Sequence, residues 1–237
     1  MYMEKRFNKN YIHHQKSHLA DVLKEVVFGV EDGMVSTLGS ITGIAIGSGS
    51  AHITILAGVV IIAVESISMG IGSYLSDKSE EELDSRKIEE EKEELKDFPE
   101  EEKEELRQMY IDIGWSPDLA QKMSDEAAKK EDLILREMVV HELKIPYPQE
   151  STSIKGGLYM FFSYIVGGLV PLFFYLILPV KQAMPLSIIV TMLGLFGLGV
   201  STAKFTKQPI FKSSMRVVIM GGIALVAGLI AGIYLEQ

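Results

Sequence analysis

Three side chains that could bind a cation lie within long apolar stretches of this sequence. Asp32 lies ten residues into the stretch 22–46, and Glu65 lies twelve residues into the stretch 53–75. Charging a carboxyl group at the centre of a bilayer costs at least about 2.5 kcal/mol, so such groups usually face a helix bundle and mark ion or proton paths. Met69 follows Glu65 by four residues and shares its helix face. These residues predict a cation path, unless Asp32 only marks the end of a span and Glu65 is protonated and hydrogen-bonded.

A second set of candidate ligands lies in the charged middle of the chain. Glu91 and Glu94 are three residues apart, and so are Glu102 and Glu105. Residues at this spacing share one face of a helix, and Pro99 between the two pairs could fold them toward each other. Carboxylates on facing helices form metal sites in helix bundles. In a segment so rich in glutamate the same spacing also arises by chance, and a run of charge is usually a solvated face.

A later helix offers mixed ligand types. Glu137, Met138, His141 and Glu142 bring carboxylate, thioether and imidazole groups close together in the sequence. The chain has no cysteine, so thiolate ligands are excluded. The remaining ligand types suit hard or borderline ions such as Mg²⁺, Mn²⁺ and Fe²⁺.

Charge and hydropathy are segregated along the chain. Residues 77–150 hold 25 of the 32 acidic and 12 of the 23 basic residues, a local net charge of −13, while the remainder carries +4. The mean hydropathy of the whole chain is nevertheless positive, at +0.20. An acidic, water-facing segment therefore interrupts an otherwise apolar and mildly basic chain.

Five apolar stretches are long enough to cross a bilayer, which needs about 20 residues per helix. Residues 77–150 are rich in Glu, Lys, Leu, Arg and Met, which favour helices. Helix-breaking prolines and a glycine predict helices up to residue 97, over 99–112, from about 116, and over 127–143. The fold class is therefore all-α: a polytopic membrane protein with five transmembrane helices and a cytosolic three-to-four-helix domain between spans 2 and 3. The predicted spans are 22–46, 53–75, 155–178, 184–203 and 216–235.

The distribution of Lys and Arg predicts the orientation. Cations are concentrated in 1–21, 77–154 and 204–213 and are scarce in the other loops, and positive loops stay on the cytoplasmic side. We therefore expect a multi-pass protein of the cell membrane whose N-terminus and acidic domain are cytoplasmic. The predicted domains are a cytosolic segment 1–21, transmembrane helices 1–2 in 22–76, the acidic metal-binding domain 77–150, and transmembrane helices 3–5 in 151–237.

Three motifs together resemble the vacuolar iron transporter family, in the form of a prokaryotic member with a cytosolic metal-binding domain. The first-span signature looks like EVVFGVEDGMVSTLG, the second like SMGIGSYL and the third like SYIVGGLVPLFFY. The resemblance implies a homodimer with the ion path at the subunit interface, and Fe(II) translocation coupled to protons. By this likeness Asp32 and Met69 line the path. The metal ligands that the resemblance implies in the domain are Glu91, Glu94, Glu102, Glu105, Met138 and Glu142.

One departure from the family pattern concerns the second span. Relatives commonly have a glutamate two turns before the methionine, where this chain has Ile61, and their alanine-glycine-alanine is Val64-Glu65-Ser66 here. Because Ile61 and Glu65 are four residues apart, they share a helix face. We predict that Glu65 substitutes for the missing acid.

The resulting hypothesis is a divalent metal exporter for Fe(II), with Mn, Co or Zn as further substrates, working by proton antiport. Its expected partners are divalent metal ions, the lipid bilayer and a second copy of the chain. We expect no covalent cofactor, no nucleic acid partner and no enzymatic activity. One alternative is a membrane-anchored, ferritin-like di-iron oxidase, although Glu137 and His141 are one residue further apart than the usual Glu-x-x-His pair. The other is a non-transporting adaptor, which leaves the intramembrane residues unexplained.

Overall fold

The computed structural model describes residues 18–147 and 151–235, and the regular structure in these ranges is entirely α-helical. This confirms the all-α class. The helices break at glycine, proline and short polar turns, as their propensities require. Their bounds are α1 His18–Ser48, α2 Ala51–Asp97, α3 Pro99–Ile113, α4 Pro117–Ala127, α5 Glu131–His141, α6 Ser153–Ile177, α7 Val180–Thr206 and α8 Ile210–Leu235.

Within the described residues, four helices are long and apolar enough to cross a membrane: α2, α6, α7 and α8. The protein is therefore a polytopic membrane protein. Helix α1 is not among the four because Glu31, Asp32 and several small polar residues lower its hydropathy. Helix α6 continues through Pro171, whose carbonyl oxygen accepts a hydrogen bond of 2.8 Å from the Ser187 hydroxyl in α7.

Helix α2 is far longer than a membrane span. Its 47 residues extend about 70 Å at 1.5 Å per residue, whereas the hydrocarbon core of a bilayer is about 30 Å thick. The apolar part ends near Leu75, and the turns from Asp77 onward are charged. Residues in this charged part, Glu91 among them, therefore lie outside the membrane-spanning segment.

The chain divides into two compact units, with boundaries in the sequence between Ser73 and Tyr74 and between Ile154 and Lys155. In the first unit α1 packs against α6 and α8, and it runs parallel to α8. Backbones approach closely there because both helices present small residues, as membrane helices commonly do. The facing pairs advance together along both helices: Gly39 with Ala224, Gly43 with Gly228, and Gly47 with Gly232.

The second unit, Tyr74–Ile154, contains the charged part of α2 with α3, α4 and α5. Pro99 opens α3 at its first turn, and Gly114 closes it with a left-handed φ of 115°, which suits a residue without a side chain. The prediction of one helix over 127–143 is wrong at its start. Ala127 still belongs to α4, and 128–130 form a turn before α5 begins at Glu131.

An apolar core holds the second unit together. Leu95 of α2, Leu106 and Tyr110 of α3, and Leu135 and Met138 of α5 are buried in one cluster. Burial of each such side chain contributes about 1.5–3 kcal/mol. This core fixes the faces of α2, α3 and α5 that carry the acidic residues considered next.

Candidate functional site

Three glutamates from different helices converge in the second unit. Glu91 lies in α2, Glu102 in α3, and Glu142 directly after α5. Each offers a carboxylate oxygen, and these oxygens all lie within 4.8 Å of one another. Glu91 is only 2% exposed and Glu102 only 7% exposed, whereas Glu142 is exposed. The cluster is therefore a half-closed carboxylate site with one side open to solvent.

Ionisation of the three carboxyl groups is unfavourable in this site. Burial, and next the negative charges of Glu142 and Glu102, raise the pKa of Glu91 to about 8. Burial is also the main reason that the pKa values of Glu102 and Glu142 are raised. The Oε1 atom of Glu91 and the Oε2 atom of Glu102 are buried without a hydrogen-bond partner. Buried acceptors without donors are costly, and a divalent cation would satisfy them.

The other predicted ligands lie around this cluster in two different ways. Glu94 and Glu105 are exposed, and their negative charges help to raise the pKa of Glu102. Met138 is fully buried in the apolar core, one turn before Glu142, whose N–H donates a 2.8 Å hydrogen bond to the Met138 carbonyl. The structure thus brings three of the six predicted ligands together. The ligand role of all six stays a prediction.

Glu137 and His141 form a separate network with Tyr110. The Tyr110 hydroxyl donates a 2.9 Å hydrogen bond to Glu137 Oε2, and His141 Nε2 lies 3.3 Å from the same oxygen. Burial and the hydrogen bond to Glu137 raise the pKa of Tyr110. The network joins α3 to the end of α5, immediately before Glu142, so it helps to position that carboxylate.

The first unit contains the other group of predicted site residues. Asp32 of α1 is half-buried, and its carboxyl group interacts electrostatically with that of Glu65 in α2. Glu65 is exposed in the single chain, and Met69, one turn further along α2, is half-buried. The carboxyl groups of Asp32 and Glu65 therefore lie near enough to each other in the membrane-spanning unit to interact electrostatically. Their role in an ion path stays a prediction.

Two hydroxyl groups beside this pair were missed by sequence reasoning. The Tyr164 hydroxyl of α6 and the Ser36 hydroxyl of α1 lie 2.5 Å apart, and Tyr164 interacts with both Asp32 and Glu65. Tyr164 is fully buried. The third-span motif contains this tyrosine just before the paired glycines. Close packing positions this tyrosine, because any side chain on Gly33 would collide with the Tyr164 carbonyl oxygen.

Acidic residues inside the membrane-spanning unit and a glutamate cluster in a separate helical unit are the features that the resemblance implied. A model of the VIT family matches residues 23–233, nearly the whole chain. The chain belongs to the VIT family. The predicted family resemblance is thereby confirmed.

This VIT family chain is similar to several named proteins over most of their length. Vacuolar iron transporter 1 of Tulipa gesneriana is 31% identical over 217 residues, which are 90% of this chain and 88% of that protein. Vacuolar iron transporter 1 of Oryza sativa subsp. japonica is 30% identical and covers 94% of this chain and 90% of its own length. The vacuolar iron transporter of Toxoplasma gondii is 32% identical, with 89% and 74% covered. These relatives are named as transporters rather than enzymes.

Proposed function

We propose that this VIT family protein exports divalent metal ions from the cytoplasm, Fe(II) foremost, in exchange for protons. The relatives named as iron transporters support metal transport and favour it over the di-iron oxidase alternative. The observation that carries the proposal is the electrostatic interaction between the carboxyl groups of Asp32 and Glu65 inside the membrane-spanning unit. Two intramembrane carboxyl groups at one place are costly unless a cation or protons neutralise them.

The chemistry of carboxylates links metal release to protonation. Two ionised carboxylates balance the charge of one divalent cation, and their oxygens suit Fe(II), Mn(II) and related ions. Protonation of the same oxygens removes that charge and weakens metal binding. Alternate occupancy by two protons or one dication would allow a pH difference to drive metal transport. Met69, one turn from Glu65, would add a thioether ligand for borderline ions such as Fe(II).

Five transmembrane helices, rather than four, fit the packing of α1. Helix α1 has 31 residues, or about 46 Å at 1.5 Å per residue. It packs between α6 and α8, both apolar enough to span, from Gly29 to Gly47. A helix packed alongside two spans over this length is itself at membrane depth. Its charged residues, Asp32 among them, then face the bundle rather than lipid.

A cell-membrane location with the acidic unit in the cytoplasm fits the charge distribution. The predicted inner segments hold the cations, as expected for cytoplasmic loops. In this orientation the cluster of Glu91, Glu102 and Glu142 collects ions from the cytoplasm for the path. Homodimer formation is supported by Glu65, because a carboxyl group exposed within a span is placed more favourably against another protein surface than against lipid.

Metal uptake into sealed liposomes tests this proposal. Purified protein is reconstituted, a metal-sensitive dye is enclosed, and Fe(II) influx under anaerobic conditions is measured with and without a pH gradient. We expect a proton gradient of the correct sign to accelerate wild-type flux. We expect Asp32→Asn to reduce flux at least tenfold. Glu31→Gln is the matched comparison because Glu31 is adjacent and equally half-buried, but it lies about 100° away around the helix.

The possible results separate the parts of the proposal. Wild-type flux in Asp32→Asn would remove Asp32 from the path, and no flux of Fe(II), Mn(II), Co(II) or Zn(II) would refute transport. A metal flux that is the same with and without the pH gradient would refute proton antiport alone. Fe(II)-dependent oxygen consumption by the purified protein would instead support the oxidase alternative.

A further inference from the structure

Four cations surround the turn between α7 and α8. Lys204 lies in the last turn of α7, Lys207 caps that helix, and Lys212 and Arg216 lie in the first two turns of α8. All four are exposed, and residues 203–217 contain no Asp or Glu. Among the residues that the structure describes, none of the four forms an ion pair. The turn is therefore an uncompensated positive surface.

One face of α8 joins this positive surface to an apolar one. Lys212 and Arg216 are four residues apart and share a face, and Ile219 and Met220 continue it one turn deeper. The side chains of this face line an open surface groove of about 440 Å³. Ile219 is 54% exposed and Met220 is 55% exposed. The groove is charged at the end nearest the turn and apolar toward the middle of the span. It is lined by Phe211, Lys212, Met215, Arg216, Ile219 and Met220.

We propose that this groove binds an anionic phospholipid. The phosphate of the headgroup lies between Lys212 and Arg216, and an acyl chain lies along Ile219 and Met220. An occupant with a negative head and an apolar tail matches both ends of the groove. Basic residues at the end of a membrane helix bind anionic headgroups in this way, with about 1 kcal/mol contributed by each Lys or Arg.

Other occupants match only part of the surface. A free phosphate ion would leave the exposed apolar end unused. A second copy of the chain in a twofold contact would bring the same cations against each other, which like-charge repulsion disfavours. The proposal depends only on the membrane-spanning position of α8, not on which ion the protein transports.

Lipid binding to the full-length protein tests the proposal directly. Native mass spectrometry of the protein in detergent measures titrations with phosphatidylglycerol and with phosphatidylcholine of the same acyl chains. We expect tighter binding of phosphatidylglycerol to the wild type. Since 1 kcal/mol is about fivefold in affinity, Lys212→Gln with Arg216→Gln should weaken phosphatidylglycerol binding about 25-fold and leave phosphatidylcholine unchanged.

Two controls make the result specific. Lys181→Gln removes an exposed cation from the first turn of α7 and should change affinity less than twofold. The exchange Lys212→Arg with Arg216→Lys keeps both charges and should retain binding. Equal phosphatidylglycerol affinity in the double Gln variant would overturn the proposal. So would complete displacement of the lipid by millimolar inorganic phosphate, or a loss of dimer mass, without lipid loss, in the double Gln variant.

Discussion

Replacing Glu91 by glutamine should make the protein more stable without metal and less able to bind it. Glutamine keeps the shape of the side chain but cannot ionise. In the wild type the pKa of Glu91 is raised to about 8, from a usual value of 4.5. The folded protein therefore retains a proton that the unfolded chain releases between these values. The contribution of Glu91 to wild-type stability is fully present below pH 4.5 and is lost as the pH rises through about 8, and the variant lacks this pH-dependent contribution.

The size of the effect follows from the geometry of the cluster. At 4.8 Å, the upper limit of the separations between these oxygens, and an effective dielectric constant of about 20, two ionised carboxylates repel each other by about 3.5 kcal/mol. Glu91 has two such neighbours, Glu102 and Glu142. Because their own pKa values are also raised, the two repulsions do not simply add. A loss of a few kcal/mol from pH 5 to pH 9 is therefore expected for the wild type.

The same substitution, Glu91→Gln, should weaken metal binding, although it stabilises the protein without metal. A ligand present at 100 times its Kd stabilises a protein by about 2.7 kcal/mol, and a 100-fold weaker affinity reduces this to about 0.4 kcal/mol. Loss of an outer-shell partner alone costs metal sites about 10- to 100-fold, so loss of the Glu91 carboxylate should cost at least as much. The stabilisation by metal should therefore almost disappear in Glu91→Gln.

Thermal unfolding of the full-length protein in detergent measures both effects, at pH 6 and pH 9, with and without Mn(II). The expected pattern for the wild type is a Tm that falls with pH and is restored by Mn(II), most strongly at high pH. Glu91→Gln should show a smaller fall of Tm with pH, since the raised pKa values of Glu102 and Glu142 remain, and little response to Mn(II). Glu93→Gln is the control, since Glu93 is exposed on the same helix. The reasoning fails if Glu91→Gln keeps the wild-type pH slope or the full Mn(II) stabilisation.

Three further predictions concern the membrane-spanning unit. Glu65→Gln should reduce metal flux into liposomes about as much as Asp32→Asn, and near-normal flux would show that Glu65 does not replace the missing acid. Tyr164→Phe should keep the fold but reduce flux severalfold because Asp32 and Glu65 lose the neighbouring hydroxyl; an unchanged flux would limit Tyr164 to packing. Gly228→Ala should lower Tm strongly, because its methyl group would collide with a backbone carbonyl of α1, whereas Gly222→Ala, with open space around it, should leave Tm nearly unchanged.

The elements of this fold were largely predictable where strong local signals mark their ends. Pro99 and Gly114 delimit α3 in the sequence and in the structure, because a proline at the first turn and a glycine beyond the last are each favoured for backbone reasons. The start of α5 was not predictable. Ala127, Ala128, Lys129 and Lys130 all favour helix, so nothing in the local sequence shows that the chain must turn there to bring α5 onto α3.

The sequence predicts that glutamates of α2 and α3 form an acidic cluster, but it does not predict which glutamates belong to it. The i, i+3 spacing selected Glu91, Glu94, Glu102 and Glu105 equally. Only the packing of the helices places one member of each pair inward, so Glu91 and Glu102 are buried while their partners are exposed. Which member faces inward depends on the rotation of each helix about its axis, and that rotation is set by the shared apolar core rather than by the glutamates themselves.

The surroundings of a carboxylate differ between the two units, and the position of Glu65 shows this difference. On a helix of the second unit, a carboxylate without a partner can turn toward water. On α2 within the membrane, Glu65 is close to Asp32 and yet exposed in the single chain, while Ile61, one turn before it, lines an apolar groove with α1 and α8. An acid at position 61 would lie in that groove. We predict that Glu65 replaces that acid: moving the carboxylate by one turn keeps it on the same helix face and near enough to Asp32 to interact with it electrostatically, so two carboxyl groups would remain available for a dication.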